Sequence, residues 1–276
     1  KGHNSFWEIY NEAQKNPNWY TKTLRADQSG LLPDAELLDA QASMSANQYE
    51  QEFLCSFEAA ILGAYYGQEM RRLTDLERIT TVDYDPMFPC HTAWDLGFND
   101  STSIWWFQTV YGEIRVLDHH SSNGQPIAYY TGLLEQKAEE FGYKYGTHWL
   151  PHDARAKTLS SNRSVIEQLS DKIPLKSLKI APNLKLQDGI QASRLALTRT
   201  WFDHKCNDGI ECLRQYQREY DEDKKVFRDK PRHDWTSHGA DAFRYLALTW
   251  KEENRIVTPN EPIKGLFVGQ TDVTLN

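Results

Sequence analysis

The chain has 276 residues, of which 39% are hydrophobic and 25% charged, a globular composition with room for one large domain or two smaller ones. It holds no apolar run near the roughly eighteen residues of a membrane span. A formal net charge of −8 argues against a general nucleic-acid coat, but leaves room for a local basic groove beside acidic pockets.

The chain starts Lys1-Gly2-His3-Asn4 without a signal peptide, which is the pattern expected of a fragment. A helix is predicted over Phe6 to Gln14, followed by a segment rich in Trp and Tyr. "LPDAELLDAQASM" predicts another, with Pro33 early and Asp34 as its cap. "SANQYEQEFLCSF" opens on Ser45 and repeats Tyr49, Phe53, Leu54 and Phe57 at helical spacing. Residues 64 to 78 continue as helix through Tyr65, Tyr66, Met70 and Leu73. This first third carries no catalytic constellation. Cys55, Cys90, Cys206 and Cys212 lack the spacing of a zinc knuckle and read as free thiols.

Asp85-Pro86 and Phe88-Pro89 mark a break. Beyond it "TAWDLGFNDSTSIWWFQ" reads as two strands around a Gly97-Phe98-Asn99-Asp100 turn. A second turn at Tyr111-Gly112 leads to a strand over Ile114 to Asp118. Further along come a helix from Pro126 to Phe141, a short strand at His148-Trp149-Leu150, a helix over Ser164 to Ser170 and a strand near Leu178 to Ile180. Residues 185 to 200 and Cys206 to Tyr220 are predicted helical, "DEDKKVFRDKPRHDW" a turn or hairpin, and "TSHGADAFRYLALTW" a helix. The tail from Arg255, with Pro259 and Pro262, is expected to be extended. Three meandering strands followed by alternating helices and strands imply an α/β fold, a mixed sheet with helices on both faces.

Three carboxylates sit in apolar or aromatic runs where a strand ends or a helix begins: Asp95 in "WDLG", Asp153 in "PHDAR" and Asp241 in "SHGADAFRY". A carboxylate set against a sheet is costly unless paired, hydrogen-bonded or bound to a metal. Oxygen ligands of this kind suit Mg²⁺ or Mn²⁺. Taken singly, Asp95 reads equally as a turn residue, Asp153 as a helix cap and Asp234 as an N-cap. Asp234, His238, Asp241 and Tyr245 share one helix face if that helix starts early enough.

Together "WDLGFNDSTSIWWFQ", "PHDARAK" and "HDWTSHGADAFRYLA" resemble, in order, the three acidic motifs of the nuclease domain of tailed-bacteriophage terminase large subunits. The resemblance spans about residues 88 to 252. It implies an RNase H-like fold of the resolvase and integrase type, and two-metal cleavage of double-stranded DNA during packaging. Asp95, Asp153 and Asp241 would be the ligands of Mg²⁺ or Mn²⁺. His238 stands three residues before Asp241, as in an H-x-x-D pair, and is open as ligand, proton carrier or bystander, with Asp234 a further assisting group. The expected organisation is the end of an ATPase domain with lid and linker over 1–85, the nuclease over 86–254, and a tail over 255–276. A phosphate-binding loop is missing from the sequence, so no ATPase chemistry is expected of this chain itself.

Candidate phosphate contacts are Arg155, Lys157 and Arg163 after the second motif, and Lys224, Lys225, Arg228, Lys230 and Arg232 before the third. Asp221, Glu222, Asp223 and Asp229 dilute the second group. The implied partners are double-stranded DNA, a portal protein and a small terminase subunit, with oligomers on the portal and a monomer in isolation. The implied place is the cytoplasm of the infected bacterium. The alternatives are a junction resolvase or hybrid nuclease of the same fold, and a non-catalytic module docking DNA or the portal.

Overall fold

The computed structural model describes residues 5–44, 46–56, 63–97, 100–157, 162–221 and 223–253. Phe98, Asn99, Ser45, Phe57, Glu222 and the tail from Arg255 lie outside them. In chain order the elements open with α1 (Ser5–Lys15), α2 (Ala26–Ser29), α3 (Asp34–Ser43), α4 (Ala46–Glu52) and α5 (Gly67–Asp75). Strands β1 (Ile79–Thr80), β2 (Cys90–Asp95), β3 (Ser101–Val110) and β4 (Glu113–Asn123) come next, then α6 (Ile127–Phe141) and β5 (Tyr145–Leu150). A 3-10 turn (His152–Arg155), α7 (Val165–Leu169), β6 (Leu178–Ile180) and α8 (Leu186–Leu197) follow. The chain continues through β7 (Thr200–Asp203), α9 (Asn207–Gln215), the hairpin β8 (Arg218–Asp221) and β9 (Val226–Pro231), and α10 (Thr236–Glu253). Among the described residues no helix is long and apolar enough to cross a membrane.

The main sheet has the order β1-β7-β4-β3-β2-β5-β6. β2, β3 and β4 form an antiparallel meander, while β5 adds parallel to β2 and β6 parallel to β5. An antiparallel meander whose first strand continues into parallel strands, with helices on both faces, is the RNase H-like arrangement. β3 explains why the centre holds. Ile104 and Trp106 enter the core on the α6 side, and Trp105 and Phe107 the core on the α10 side, all fully buried. A strand buried on both faces needs such a continuous apolar run.

Several expectations change. α3 starts at Asp34, so Pro33 takes the cap position and the Asp34 side chain does not cap. α4 stops at Glu52, before Phe53. α5 starts only at Gly67, because Tyr66 stacks on Tyr216, Tyr65 packs tilted against it, and Tyr65 N donates to Tyr216 O at 2.8 Å. That same pairing ends α9 at Gln215, short of Tyr220. α5 and β1 precede the expected boundary near residue 85, yet Tyr65, Met70 and Leu73 belong to the sheet's core and β1 pairs with β7. β7 and β1 fall outside the sequence reading. All four cysteines are free thiols.

Candidate functional site: a carboxylate cluster at the ends of β2 and β5

Asp95 is the last residue of β2. Side chains alternate along a strand, so Asp95 shares the face of Ala93, the face covered by α10. β5 runs parallel to β2, with Ala93 opposite Trp149, and its carboxyl end passes through Pro151 into the 3-10 turn that carries Asp153. Parallel neighbours end together, and a crevice outside such carboxyl ends is where α/β sites form.

α10 brings the third group. Its buried stripe is Ala240, Phe243, Leu246, Ala247 and Trp250. His238, Asp241 and Tyr245 lie on another face, at i, i+3 and i+7. Trp105 Nε1 donates to Gly239 O at 2.8 Å and ties the start of the helix to the sheet. Gly239 also lets α9 come close: a Cβ there would stand 2.7 Å from Cys212 Cβ and 2.8 Å from its Sγ.

The groups interact. His238 Nδ1 lies 2.9 Å from Asp95 Oδ2, and both side chains are largely covered. That bond, with the carboxylate charge behind it, raises the His238 pKa. The buried His91, His119 and His148 go the other way, down to about 4, 3 and 4, because burial disfavours their charge. Asp241 is pushed up to about 6, first by burial; Arg244 opposes this and the Asp95 charge adds to it. Arg244 Nη1 stands 3.3 Å and Tyr216 Oη 3.4 Å from Asp241 Oδ1. Asp153 is raised as well, by desolvation first, with His152 opposing and Asp95 adding.

The structure thus gathers Asp95, Asp153, Asp241 and His238 at one end of the sheet. Asp234 is placed differently. α10 begins at Thr236, too late to carry it, and its Oδ1 accepts from Thr236 N at 3.0 Å and Thr236 Oγ1 at 2.6 Å. It caps the helix, the alternative that its position before Trp235 already offered. Asp153 sits inside the 3-10 turn and does not cap it; Pro151 holds that position.

The basic candidates divide as well. Arg163 pairs with Asp171 at 2.8 Å, Arg228 with Asp221 and Glu219 at 2.9 Å each, Lys230 with Glu219 at 2.6 Å, and Arg232 with Asp234 at 3.4 Å. Arg155, Lys157, Lys224 and Lys225 are exposed. Sequence reasoning passed over Arg244 and Tyr216. Arg244 stands at i+3 from Asp241, a spacing that signals a helical ion pair; Tyr216 carries no local signal.

Three carboxylates at the rim of a sheet, with Asp153 and Asp241 raised and both coupled to Asp95, suit a divalent cation in their donor chemistry, although their oxygens do not all lie within 4.8 Å of one another. No family model matches the chain. The large terminase subunit of Escherichia phage T5 is 22% identical over 259 residues, covering 89% of this chain and 55% of that protein. This chain therefore spans little more than half the length of its curated relative. The large terminase of a thermophilic bacteriophage, solved in complex with ATP-gamma-S, aligns with a TM-score of 0.53 at 18% identity, over 88% of this chain and 59% of that one. The nuclease domain of the large terminase from bacteriophage SPP1, solved with bound Mn, aligns with a TM-score of 0.45 at 11% identity, over 63% of this chain and 94% of that one. In sequence and in fold, this chain is similar to phage large terminase subunits.

Proposed function

We propose that this chain is the metal-dependent endonuclease part of a DNA-packaging terminase, cutting concatemeric double-stranded DNA with little sequence preference. The observation that carries the reading is the placement of Asp95, Asp153 and Asp241 at one end of the sheet, from β2, the turn after β5, and α10, with Asp153 and Asp241 both raised by burial and by the Asp95 charge. Groups crowded in this way are short of positive charge, and a cation from outside relieves them.

Asp95, Asp153 and Asp241 would hold the two Mg²⁺ or Mn²⁺ ions. When bound, such ions supply an activated water for in-line attack and neutralise charge on the leaving 3′ oxygen. The protein's own groups prepare the site. Arg244 and Tyr216 hold one oxygen of Asp241 from behind. Asp95 fixes the His238 ring through Nδ1, so Nε2 is the atom left to take a proton or a ligand. Asp234 is engaged at the start of α10 through Oδ1 and with Arg232 through Oδ2. Exposed Arg155, Lys157 and Lys224 are the first candidates for phosphate contact, with exposed Lys225 next to Lys224. The helices α1 to α4 would belong to the end of an ATPase half, and the portal protein and small subunit would be partners of the longer assembly.

The test is cleavage of supercoiled plasmid with EDTA, Mg²⁺ or Mn²⁺, beside Asp95→Ala. Nicking and linearisation that need the ion and vanish in the variant are expected. Full ion-dependent cleavage by Asp95→Ala sinks the reading. Strong preference for branched DNA or hybrid would point to a resolvase or hybrid nuclease. An intact fold that binds no divalent ion would point to a docking module.

A further inference from the structure

Five residues past Asp95 the chain presents another carboxylate, Asp100, near the start of α10. It faces an imidazole pair. His233, on the turn before α10, has its Nε2 4.0 Å from Asp100 Oδ2. The His233 and His238 rings cross at 77° with centroids 5.8 Å apart. Asp100, His233 and His238 each offer a ligand atom, and these atoms all lie within 4.8 Å of one another. Asp100 and His233 are exposed, and His238 is partly buried.

His238 supplies the orientation. A hydrogen bond from Nδ1 to Asp95 Oδ2 keeps the proton on Nδ1 and leaves the lone pair on Nε2. Histidines that ligate metals are held in this way, by a carboxylate on the other ring nitrogen. Asp95, Asp100 and Asp241 all act on the charge at His238, so the local field favours a cation.

We propose that Asp100, His233 and His238 form a second divalent-cation site, beside the carboxylate cluster and sharing none of its three carboxylates, that takes imidazole-tolerant ions such as Zn²⁺, Co²⁺ or Ni²⁺ in preference to Mg²⁺. Mg²⁺ prefers oxygen and gives up water reluctantly, whereas imidazole suits the later transition metals. Ligand bonds of about 2.0–2.1 Å in a tetrahedral site place donor atoms roughly 3.3 Å apart. The present spacing is wider, and two exposed side chains close it by changing rotamer. An open fourth position would be filled by water. Because Asp95 Oδ2 is committed to His238, an ion here pins Asp95 as well and couples the two sites.

The test reads binding, so it stands whether or not the chain cuts DNA. The 276-residue chain is titrated with Zn²⁺ and Mg²⁺ by calorimetry, and with Co²⁺ by visible absorption. Wild type is set beside His233→Ala and the double variant Asp153→Asn/Asp241→Asn. Wild type and the double variant are expected to bind Zn²⁺ alike and to give the intense band of nitrogen-ligated, low-coordinate Co²⁺. His233→Ala is expected to weaken Zn²⁺ by about tenfold or more and to leave Mg²⁺ unchanged. His233 is exposed, so its loss does not threaten the fold, and circular dichroism checks this. Zn²⁺ binding that survives His233→Ala, or that disappears only in the double variant, overturns the proposal.

Discussion

Two carboxylates on opposite faces of one sheet meet opposite fates. Asp118 of β4 is buried on the α6 face, where Lys137 Nζ bonds its Oδ2 and the backbone N of His119 donates to its Oδ1 at 2.8 Å. The Lys137 ammonium also lies 5.1 Å from the Trp106 ring centroid. On the α10 face, Asp95 has the His238 imidazole and Asp241 has the Arg244 guanidinium, while Asp153 is opposed only in part by His152 and both raised acids feel the Asp95 charge. The first site is neutralised by the protein's own charge. The second is left short, and the raised acids record it. A sheet that can pair one carboxylate with a lysine has no structural need to leave another cluster short of positive charge, and that shortfall is what the proposed function calls for.

Stability should therefore respond with opposite signs at the two sites. Lys137→Met leaves Asp118 buried and charged, and breaking a buried pair from one side costs about 3–5 kcal/mol. Asp241→Asn removes a charge that burial and Asp95 oppose. In EDTA it should leave stability unchanged or raise it by roughly 1 kcal/mol, a figure discounted for partial exposure, while ion-dependent cleavage falls by about a hundredfold or more. Urea unfolding of both variants checks this. A large loss in Asp241→Asn would erase the contrast between the sites.

The pH dependence sharpens it. An acid whose folded pKa is raised contributes stability that is present below its unfolded pKa and lost as pH rises through the folded one. For Asp241 that window opens near the ordinary value of about 3.9 and closes at about 6. His238, raised by Asp95, has the same sign in a higher window: its contribution is present below about 6.5 and lost as pH rises through its raised pKa. In EDTA, the stability of wild type minus that of Asp241→Asn should fall between about pH 4 and 6. Saturating Mg²⁺ or Mn²⁺ should remove the fall, because the ion binds the deprotonated acid. A difference that rises over this window would mean that Asp241 is stabilised as a carboxylate by a partner inside the protein.

The ends of β2 and β5 and the amphipathic α10 were legible because each rests on local pattern: aromatic and branched residues for β3, Pro151 after Leu150, and the Phe243, Leu246, Ala247 and Trp250 stripe. β7 and β1 were not. They are four and two residues long and pair in parallel, without the hairpin turn that announces an antiparallel neighbour. The end of α9 was hidden for a related reason, since Tyr216 leaves the helix to meet Tyr65, a partner distant in sequence. Asp100 and His233 are loop residues that become neighbours only when α10 docks on the sheet. Asp234 shows the reverse case: its capping role was readable locally, and the competing site role came from assuming a longer helix.

The smallest effects concern the basic hairpin, where internal pairing ranks the lysines. Lys224 is exposed, and its ammonium holds no ion pair among the described residues, whereas Lys230 is held by Glu219 at 2.6 Å. A lysine that already neutralises a glutamate releases fewer counterions when a phosphate arrives. If a duplex lies along β8 and β9, Lys224→Ala should lower the slope of log affinity against log salt by about 1. Lys230→Ala should lower it by less, and both should leave thermal stability within about 0.5 kcal/mol, as exposed pairs contribute little. Binding to a plain duplex across a salt series, in an Asp95→Asn background that does not cut, measures both slopes. Equal slopes in the two variants and wild type would move the DNA path off the hairpin and onto the Arg155 and Lys157 side of the cluster, where the same substitution logic applies.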